Sequence, residues 1–197
     1  MNPGKPIRER KRTRLIGFDY ATPGCYFVTA VVKDRLCVFG EINNGTIQLS
    51  PYGAIVRDQW RWLTSQYPYL ATDVFVVMPN HIHAIINIAD RNVGDGRDRP
   101  LREKTKSVSE LVGALKTTSS KYIHRAGLTG FQWQRSFYER IIRSEQELDR
   151  IREYIQTNPL RWQLDVENPG RDGRNRPLRN RSAQDYYDEI FAQRARV

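Results

Sequence analysis

Apolar residues run together or alternate with polar ones in six short segments that predict β-strands. β-branched and aromatic residues recur in these segments, and turn-forming residues separate them. The predicted strands are CYFVTAVV at 25–32, RLCVFGE at 35–41, TIQL at 46–49, DVFVVM at 73–78, HIHAIINI at 81–88 and SFYERII at 136–142. Asn43-Asn44-Gly45 predicts a hairpin turn before the third strand, and Pro79-Asn80 predicts another between the fourth and fifth.

Three further segments predict amphipathic helices, because their apolar residues recur every three or four positions. The first begins at Ser50-Pro51, and the third begins at a capping box from Ser144 to Glu147 and ends before Pro159. The residues predicted to face the core are Val56, Trp60, Leu63 and Tyr67 in the first helix, Val108, Leu111, Val112, Leu115, Ser119 and Tyr122 in the second, and Leu148, Ile151 and Ile155 in the third. The strands and helices show no regular β-α-β alternation, which favours an α+β fold.

Two of the three histidines, His81 and His83, lie two residues apart in the fifth predicted strand. Side chains two apart point to the same face of a strand, so both imidazoles lie on one face and Ile82, Ala84 and the later isoleucines on the other. Imidazoles at this spacing are close enough to share a divalent cation and leave it open to a substrate oxygen. Taken alone, the pair is more typical of an ordinary half-exposed strand than of a metal site.

A tyrosine and an asparagine lie one turn apart on the third predicted helix. Tyr154 and Asn158 are four residues apart and flank the stripe formed by Ile151 and Ile155. A helix packed on a sheet can direct such flanking side chains towards a strand. The Tyr154 hydroxyl could then attack a phosphorus atom, and the Asn158 amide oxygen could complete a metal site begun by the histidines. A packing role for the tyrosine is the alternative.

The motifs MPNHIHAII at 78–86 and YIQTNPLRW at 154–162, in this order, resemble the REP-associated tyrosine transposases. That family belongs to the single-tyrosine HUH endonucleases, related to insertion-sequence transposases, where HUH denotes His, hydrophobic residue, His. The resemblance extends to GCYFVTAVV at 24–32, to the second helix with Lys116 and to FQWQRSFYERIIR at 131–143. It therefore covers about residues 15–165.

The resemblance implies an antiparallel β-sheet flanked by α-helices, the HUH endonuclease fold with its ferredoxin- or RRM-like palm. It implies that His81 and His83 bind a divalent metal, Mg²⁺ or Mn²⁺, and that Tyr154 is the nucleophile. Asn158 is then the third ligand, a position that glutamine can occupy in related insertion-sequence enzymes. The implied reaction is cleavage and transfer of single-stranded DNA at hairpin-forming repetitive extragenic palindromes, through a 5′-phosphotyrosine and a free 3′-hydroxyl.

The charge of the chain agrees with a nucleic-acid partner. Its 197 residues contain 32 Lys and Arg against 22 Asp and Glu, a net charge of +10 with a pI near 9.9. Single-stranded or hairpin DNA is the expected partner, with aromatic rings available for base stacking. The residues predicted to bind it are Arg10, Lys11, Arg12 and Arg14 of a basic N-terminal arm, Lys116, Lys121, Trp133, Arg135 and Arg140.

Three regions are predicted along the chain: the basic arm at 1–14, a transposase-like domain at 15–165 and an Arg-rich tail at 166–197. The tail includes SAQDYYDEIFAQ at 182–193, which predicts a short helix that could dock through Tyr186, Ile190 and Phe191. A Gly/Arg/Asp-rich loop at 89–106 is longer than the connection expected there. The near-identical segments GRDRPLR at 96–102 and GRNRPLR at 173–179 are too short to be structural repeats.

Membrane and secreted proteins are disfavoured, because no stretch approaches the length of an apolar membrane span or signal sequence. Cys25 and Cys37 are too few for a disulfide framework, so reduced packing thiols in a cytoplasmic protein are expected. The family favours a monomer, and a homodimer that exchanges its tyrosine helices is the alternative.

Two other functions remain open from sequence. A non-catalytic protein that binds single-stranded DNA or RNA would retain the basic surface and the mixed sheet but would not need His81, His83, Tyr154 and Asn158 together. A metal-dependent hydrolase that activates water would use the histidines and would not need the tyrosine.

Overall fold

The computed structural model describes residues 19–89, 105–170, 186–187 and 190–191. This part of the chain does not include the basic arm at 1–14, residues 90–104 of the long loop or residues 171–185 of the tail. The division into three regions therefore stays a prediction. Within it, the strands are β1 (Gly24–Val31), β2 (Gly40–Asn43), β3 (Thr46–Leu49), β4 (Leu70–Val77), β5 (His81–Ile88) and β6 (Tyr138–Ile142). The helices are α1 (Pro51–Gln66), α2 (Val108–Arg125) and α3 (Glu145–Thr157), with 3₁₀ segments at Lys33–Arg35 and Pro159–Leu164.

The main sheet has four antiparallel strands in the order β4-β5-β1-β6. β5 is central, and its register with β1 places His83 opposite Thr29 and His81 opposite Val31. β2 and β3 form a separate hairpin, whose turn at Asn44 and Gly45 uses positive φ angles of 50° and 73°. The predicted α+β class, with an antiparallel sheet flanked by helices, is confirmed.

Helices cover both faces of the main sheet. Ile82, Ala84 and Ile86 of β5 pack with α1 and α2 in the larger core, as the apolar alternation predicts. On the opposite face, α3 and the helical residues Tyr187 and Phe191 form a second core against β1 and β5. The alternative of an ordinary half-exposed strand does not hold, because this second layer closes the histidine face.

Local signals account for the helix ends. Ser50, Ser107 and Ser144 each accept a hydrogen bond from the backbone N–H three residues on, as expected of N-caps. The complete capping box is at Ser107. At α3 Glu147 instead accepts from the backbone N–H of Arg143, so only the Ser144 half of the predicted box is made.

Three expectations are corrected. The predicted strand at 35–41 begins only at Gly40, because Asp34 and Arg35 take positive φ angles of 57° and 55° and turn the chain out of β1. Tyr122 is 43% exposed and Ile123 is buried in its place, because the buried stripe of α2 continues from Ser119 at a spacing of four. Cys37 is an exposed free thiol rather than a packing residue. Among the described residues, no helix is long and apolar enough to span a membrane.

Candidate metal centre and tyrosine site

β5 brings the two predicted histidine ligands into direct contact. Both side chains are 0% exposed, and their Nε2 atoms are 3.0 Å apart. Two nitrogens about 2.1 Å from one ion, at the roughly 90° angle of an octahedral site, are about 3.0 Å apart. The Nε2 atoms therefore already have the separation of two adjacent ligands of one cation.

Burial keeps both imidazoles neutral, the form that binds metal. Burial lowers the pKa of His81 to about 4 and lowers that of His83 well below its ordinary value, the latter also because of its neighbour His81. The other ring nitrogen of His83, Nδ1, is 2.8 Å from the Thr29 hydroxyl. Such contacts at the far side of the ring orient a metal-binding imidazole.

A carboxylate that the sequence analysis did not select completes the cluster. Asp165 lies just beyond the Pro159–Leu164 segment, is 2% exposed, and places Oδ2 3.9 Å from His81 Nε2. One ligand atom from each of His81, His83 and Asp165 lies within 4.8 Å of the other two. The Glu167 backbone N–H donates to Asp165 Oδ1 at 2.7 Å and holds the carboxylate in place.

Asn158, the predicted third ligand, lies beside this carboxylate. Its Nδ2 donates to Asp165 Oδ2 at 2.9 Å, while its Oδ1 is buried without a hydrogen-bond partner. A buried amide oxygen without a partner is costly unless something else binds it. Two neutral imidazoles, one carboxylate and this oxygen form a donor set that fits a divalent cation.

α3 places the Tyr154 hydroxyl next to the histidine pair. Ile151 and Ile155 are fully buried against the sheet, and Arg152 forms an ion pair with Asp73 of β4 that fastens the helix to the sheet edge. Tyr154 is 7% exposed, and its hydroxyl is 3.5 Å from His83 Nε2. Burial, with a smaller contribution from the neighbouring Tyr187, raises the pKa of Tyr154 well above its ordinary value.

Aromatic rings from two directions enclose the Tyr154 side chain. The Phe27 ring of β1 stacks on His83 at 5.5 Å and meets Tyr154 edge-on at 6.2 Å. From the tail, Phe191 lies 5.6 Å and Tyr187 6.0 Å from the Tyr154 ring, both edge-on. We call Tyr187 and Phe191 the aromatic cover, because they close the site over the nucleophile candidate.

The tail docks through the predicted Tyr186, Ile190 and Phe191, but its fully buried tyrosine is Tyr187. Tyr187 is not predicted from sequence, because the double tyrosine at 186–187 leaves open which ring faces inward. The spacing of four from Tyr187 to Phe191, one helical turn, is the signal that could have identified it.

Four of the predicted DNA-binding residues, Lys116, Lys121, Trp133 and Arg135, line one groove of about 640 Å³ between α2 and residues 131–135. Trp133 is half-buried against Phe39 and donates its indole N–H to Ser119, so its ring is used in packing. A second groove shares Gln132 to Arg135 and reaches Lys33 and Arg35.

The other predicted DNA contacts are placed differently. Arg140 forms an ion pair with Glu147 of α3 at 2.7 Å and lies over the ring of Phe191 at 5.7 Å. It therefore links α3 to the aromatic cover rather than lining the groove. Arg10, Lys11, Arg12 and Arg14 lie outside the described residues.

Comparisons with known proteins point to one group. No family model matches the chain. An uncharacterized protein of Haemophilus influenzae is 32% identical over 167 residues, covering 81% of this chain and 93% of the relative. A second protein of that bacterium, provisionally named a REP-associated tyrosine transposase, is 26% identical over 146 residues, 73% of this chain and 74% of its own. A solved structure of a REP-associated tyrosine transposase bound to a REP hairpin shares the fold, with a TM-score of 0.53 at 19% identity over 78% of this chain and 74% of that one.

Proposed function

Because the chain belongs to the family of the REP-associated tyrosine transposases, we propose that it cuts and rejoins single-stranded DNA through a covalent tyrosine intermediate. The observation that carries the proposal is the position of the Tyr154 hydroxyl, 3.5 Å from a histidine that belongs to a buried cluster suited to metal. A tyrosine hydroxyl beside a metal-type cluster is the arrangement that attack of a tyrosine on a phosphate requires.

The protein groups that would hold the cation are His81, His83 and Asp165, with the Asn158 amide oxygen as a fourth donor. When bound, Mg²⁺ or Mn²⁺ would withdraw charge from an oxygen of the scissile phosphate. Burial keeps the imidazoles neutral, so neither histidine has to lose a proton at neutral pH before it can bind a metal.

Tyr154 supplies the nucleophile in the proposed reaction. Its oxygen forms a bond to phosphorus as the bond from phosphorus to the 3′-oxygen breaks; the phenol loses its proton and the 3′-oxygen gains one. The products are a 5′-phosphotyrosine and a free 3′-hydroxyl. Since the energy of the broken phosphodiester bond is conserved in the bond between phosphorus and tyrosine, the 3′-hydroxyl of another strand can reverse the step without ATP.

The proposed substrate is hairpin DNA with a single-stranded flank. The solved relative is bound to a REP hairpin, and the net charge of +10 favours a polyanion. We assign the single-stranded flank to the groove beside Lys116, Lys121 and Arg135. Among the described residues, no carboxylate lines this groove. Trp133 would shape the groove wall rather than stack on a base.

One chain supplies the whole proposed site. Tyr154 of α3 reaches His83 of β5 within the same chain, so the arrangement does not require exchange of tyrosine helices between two copies. We therefore propose a monomer, with a homodimer that exchanges its tyrosine helices as the alternative.

DNA binding is expected to weaken above about pH 8. Burial lowers the pKa of Lys116 to about 8, while its Nζ donates to the backbone oxygens of Gln134 and Ser136 at 2.9 and 3.1 Å. Lys116 is charged below this pKa, and a phosphate in the groove would stabilise the charged form, so affinity should fall by up to about tenfold per pH unit above it. Fluorescence anisotropy with a labelled hairpin from about pH 7 to 9 measures this dependence.

Lys116→Arg is the matched variant, because its guanidinium stays charged throughout that range. It should bind hairpin DNA with a flatter pH dependence than the wild type. Equal pH dependence in both proteins would exclude Lys116 as the titrating phosphate contact.

Opening the aromatic cover is expected to accelerate the reaction. Phe191→Ala removes a ring that packs on Tyr154, and we expect covalent adduct formation to rise several-fold although the protein loses about 3–5 kcal/mol of stability. Leu63→Ala is the control, since Leu63 is also fully buried but lies in the core of the other sheet face, away from the DNA groove. Adduct yields over time, compared at a temperature where both variants are folded, test the expectation; an unchanged or slower rate in Phe191→Ala would count against it.

A further inference from the structure

The turn before β5 contains a fully buried asparagine with three hydrogen-bond partners. Asn80 is 0% exposed. Its Nδ2 lies 3.0 Å from the backbone oxygen of Arg35 and 2.8 Å from that of Glu167. Its Oδ1 lies 2.8 Å from His81 Nδ1. From sequence alone, Asn80 is predicted only to form a turn.

These contacts determine the orientation of the Asn80 amide. A backbone carbonyl oxygen only accepts hydrogen bonds, so the atom facing Arg35 and Glu167 must be the NH₂ group, which has two N–H donors for two acceptors. The amide oxygen therefore faces His81, and a flipped amide would place three oxygens against one another.

The orientation of Asn80 in turn determines which nitrogen of His81 carries its proton. The Asn80 oxygen can only accept, so His81 Nδ1 must donate to it. In a neutral imidazole the other nitrogen then has a lone pair. That nitrogen, Nε2, is the one 3.0 Å from His83 Nε2 and 3.9 Å from Asp165 Oδ2.

The Asn80 side chain also holds the segment that carries the Asp165 carboxylate. Asn80 binds the Glu167 backbone oxygen, and the Glu167 side chain forms an ion pair with Arg35 at 2.7 Å. The Glu167 backbone N–H holds Asp165. One amide thus connects the histidine to the segment of Asp165.

We propose that Asn80 is a positioning residue of the metal centre, which holds His81 in the Nδ1–H tautomer with Nε2 available to metal and anchors the segment of Asp165. This inference rests on the proposed metal site, but the tautomer is a property of the metal-free protein. Contacts of this kind behind a histidine ligand contribute about 10- to 100-fold to metal affinity.

The first test reads the tautomers directly. Long-range ¹H–¹⁵N NMR correlations on the metal-free full chain at about pH 8.5, above the ordinary histidine pKa of about 6.5, distinguish the two neutral forms. His124 is an internal reference of the opposite tautomer, because its Nε2 is 2.8 Å from the Phe131 carbonyl and must donate to it. His124→Gln and His83→Gln assign the signals. We expect Nδ1–H for His81 and Nε2–H for His124, and a His81 protonated at Nε2 would overturn the proposal.

The second test removes the amide. Asn80→Ala should weaken Mn²⁺ binding, measured by electron paramagnetic resonance without DNA, by about tenfold or more. Ser119→Ala is the control, since it deletes a buried hydroxyl with three hydrogen bonds away from the site, and it should bind Mn²⁺ like the wild type. Affinity of Asn80→Ala within about twofold of the wild type would contradict the proposal.

Asn80→Asp tests the effect on the His81 tautomer separately from the anchoring of the Asp165 segment. It also keeps the proposal testable if Asn80→Ala fails to fold. An aspartate still accepts from His81 Nδ1 but has lost both N–H donors. His81 should therefore remain in the Nδ1–H tautomer in this variant, and a change to Nε2–H would contradict the proposed contact. If the NMR and Mn²⁺ results hold while no covalent DNA adduct forms, the proposed function fails and the role of Asn80 stands.

Discussion

Replacing His81 or His83 with alanine is expected to abolish cleavage of hairpin DNA and to weaken Mn²⁺ binding by at least about tenfold, while DNA affinity changes by less than about threefold. Each histidine presents one of the two nitrogens that lie 3.0 Å apart, so losing either removes half of the imidazole pair. DNA affinity depends mainly on cationic contacts with phosphates, and both histidines are buried and neutral.

Cleavage on denaturing gels, Mn²⁺ titration and anisotropy on the same preparations measure the three quantities. His124→Ala is the matched control, because His124 lines the groove beside Lys121 but lies outside the His81–His83–Asp165 cluster. It should retain Mn²⁺ affinity, because the His81–His83–Asp165 cluster is unchanged. A loss of DNA binding in His81→Ala as large as its loss of cleavage would contradict separate roles for the cluster and the groove.

The second large effect is expected at the nucleophile. Tyr154→Phe should lower the rate of covalent adduct formation by about 10⁴-fold or more, as removal of a nucleophile does in other enzymes. The ring that packs against Phe27 is retained, so folding and DNA binding should be unchanged. Single-turnover reactions with labelled hairpin DNA, followed by denaturing gels, measure this rate.

Tyr187→Phe is the control for this experiment. Its ring lies 6.0 Å from Tyr154 and 5.9 Å from His83, so Tyr187 is the nearest alternative tyrosine among the described residues. Its adduct rate should stay within about threefold of the wild type, since only Tyr154 is assigned the attack. Continued cleavage by Tyr154→Phe would instead support a hydrolase that activates water.

Local patterns predicted most of the framework that brings the candidate groups together. The period of two in β5 placed His81 and His83 on one face, and the cap at Ser144 with the stop before Pro159 predicted α3 with Tyr154 on it. Because these signals depend only on residues close together in sequence, the sequence alone predicts the strand and the helix. The roles of these residues remain predictions.

Long-range contacts could not be read in this way. Asp165 reaches His81 only after the 3₁₀ segment from Pro159 turns the chain back and Glu167 holds the carboxylate. Nothing in the residues around Asp165 distinguishes it from a surface acid. Burial of the histidine face likewise depends on Tyr187 and Phe191, more than a hundred residues along the chain from His83.

A charged or aromatic residue type does not by itself identify a DNA contact, because such a side chain can instead be used within the fold. Arg140 pairs with Glu147, and Trp133 packs against Phe39, because each found a partner that composition does not reveal. Lys121 and Arg135, both exposed, lie at the groove, and their contacts with DNA stay predictions.

The most direct test of the account is to locate the covalent bond to DNA. Wild-type protein would be incubated with labelled hairpin DNA and Mn²⁺, with EDTA as the control, and the adduct digested with trypsin and nuclease for mass spectrometry. We expect a nucleotide on residues 153–161, EYIQTNPLR, in which Tyr154 is the only tyrosine. A modified 182–194 peptide, which contains Tyr186 and Tyr187, or hairpin DNA that is bound tightly with no adduct in any metal, would contradict it.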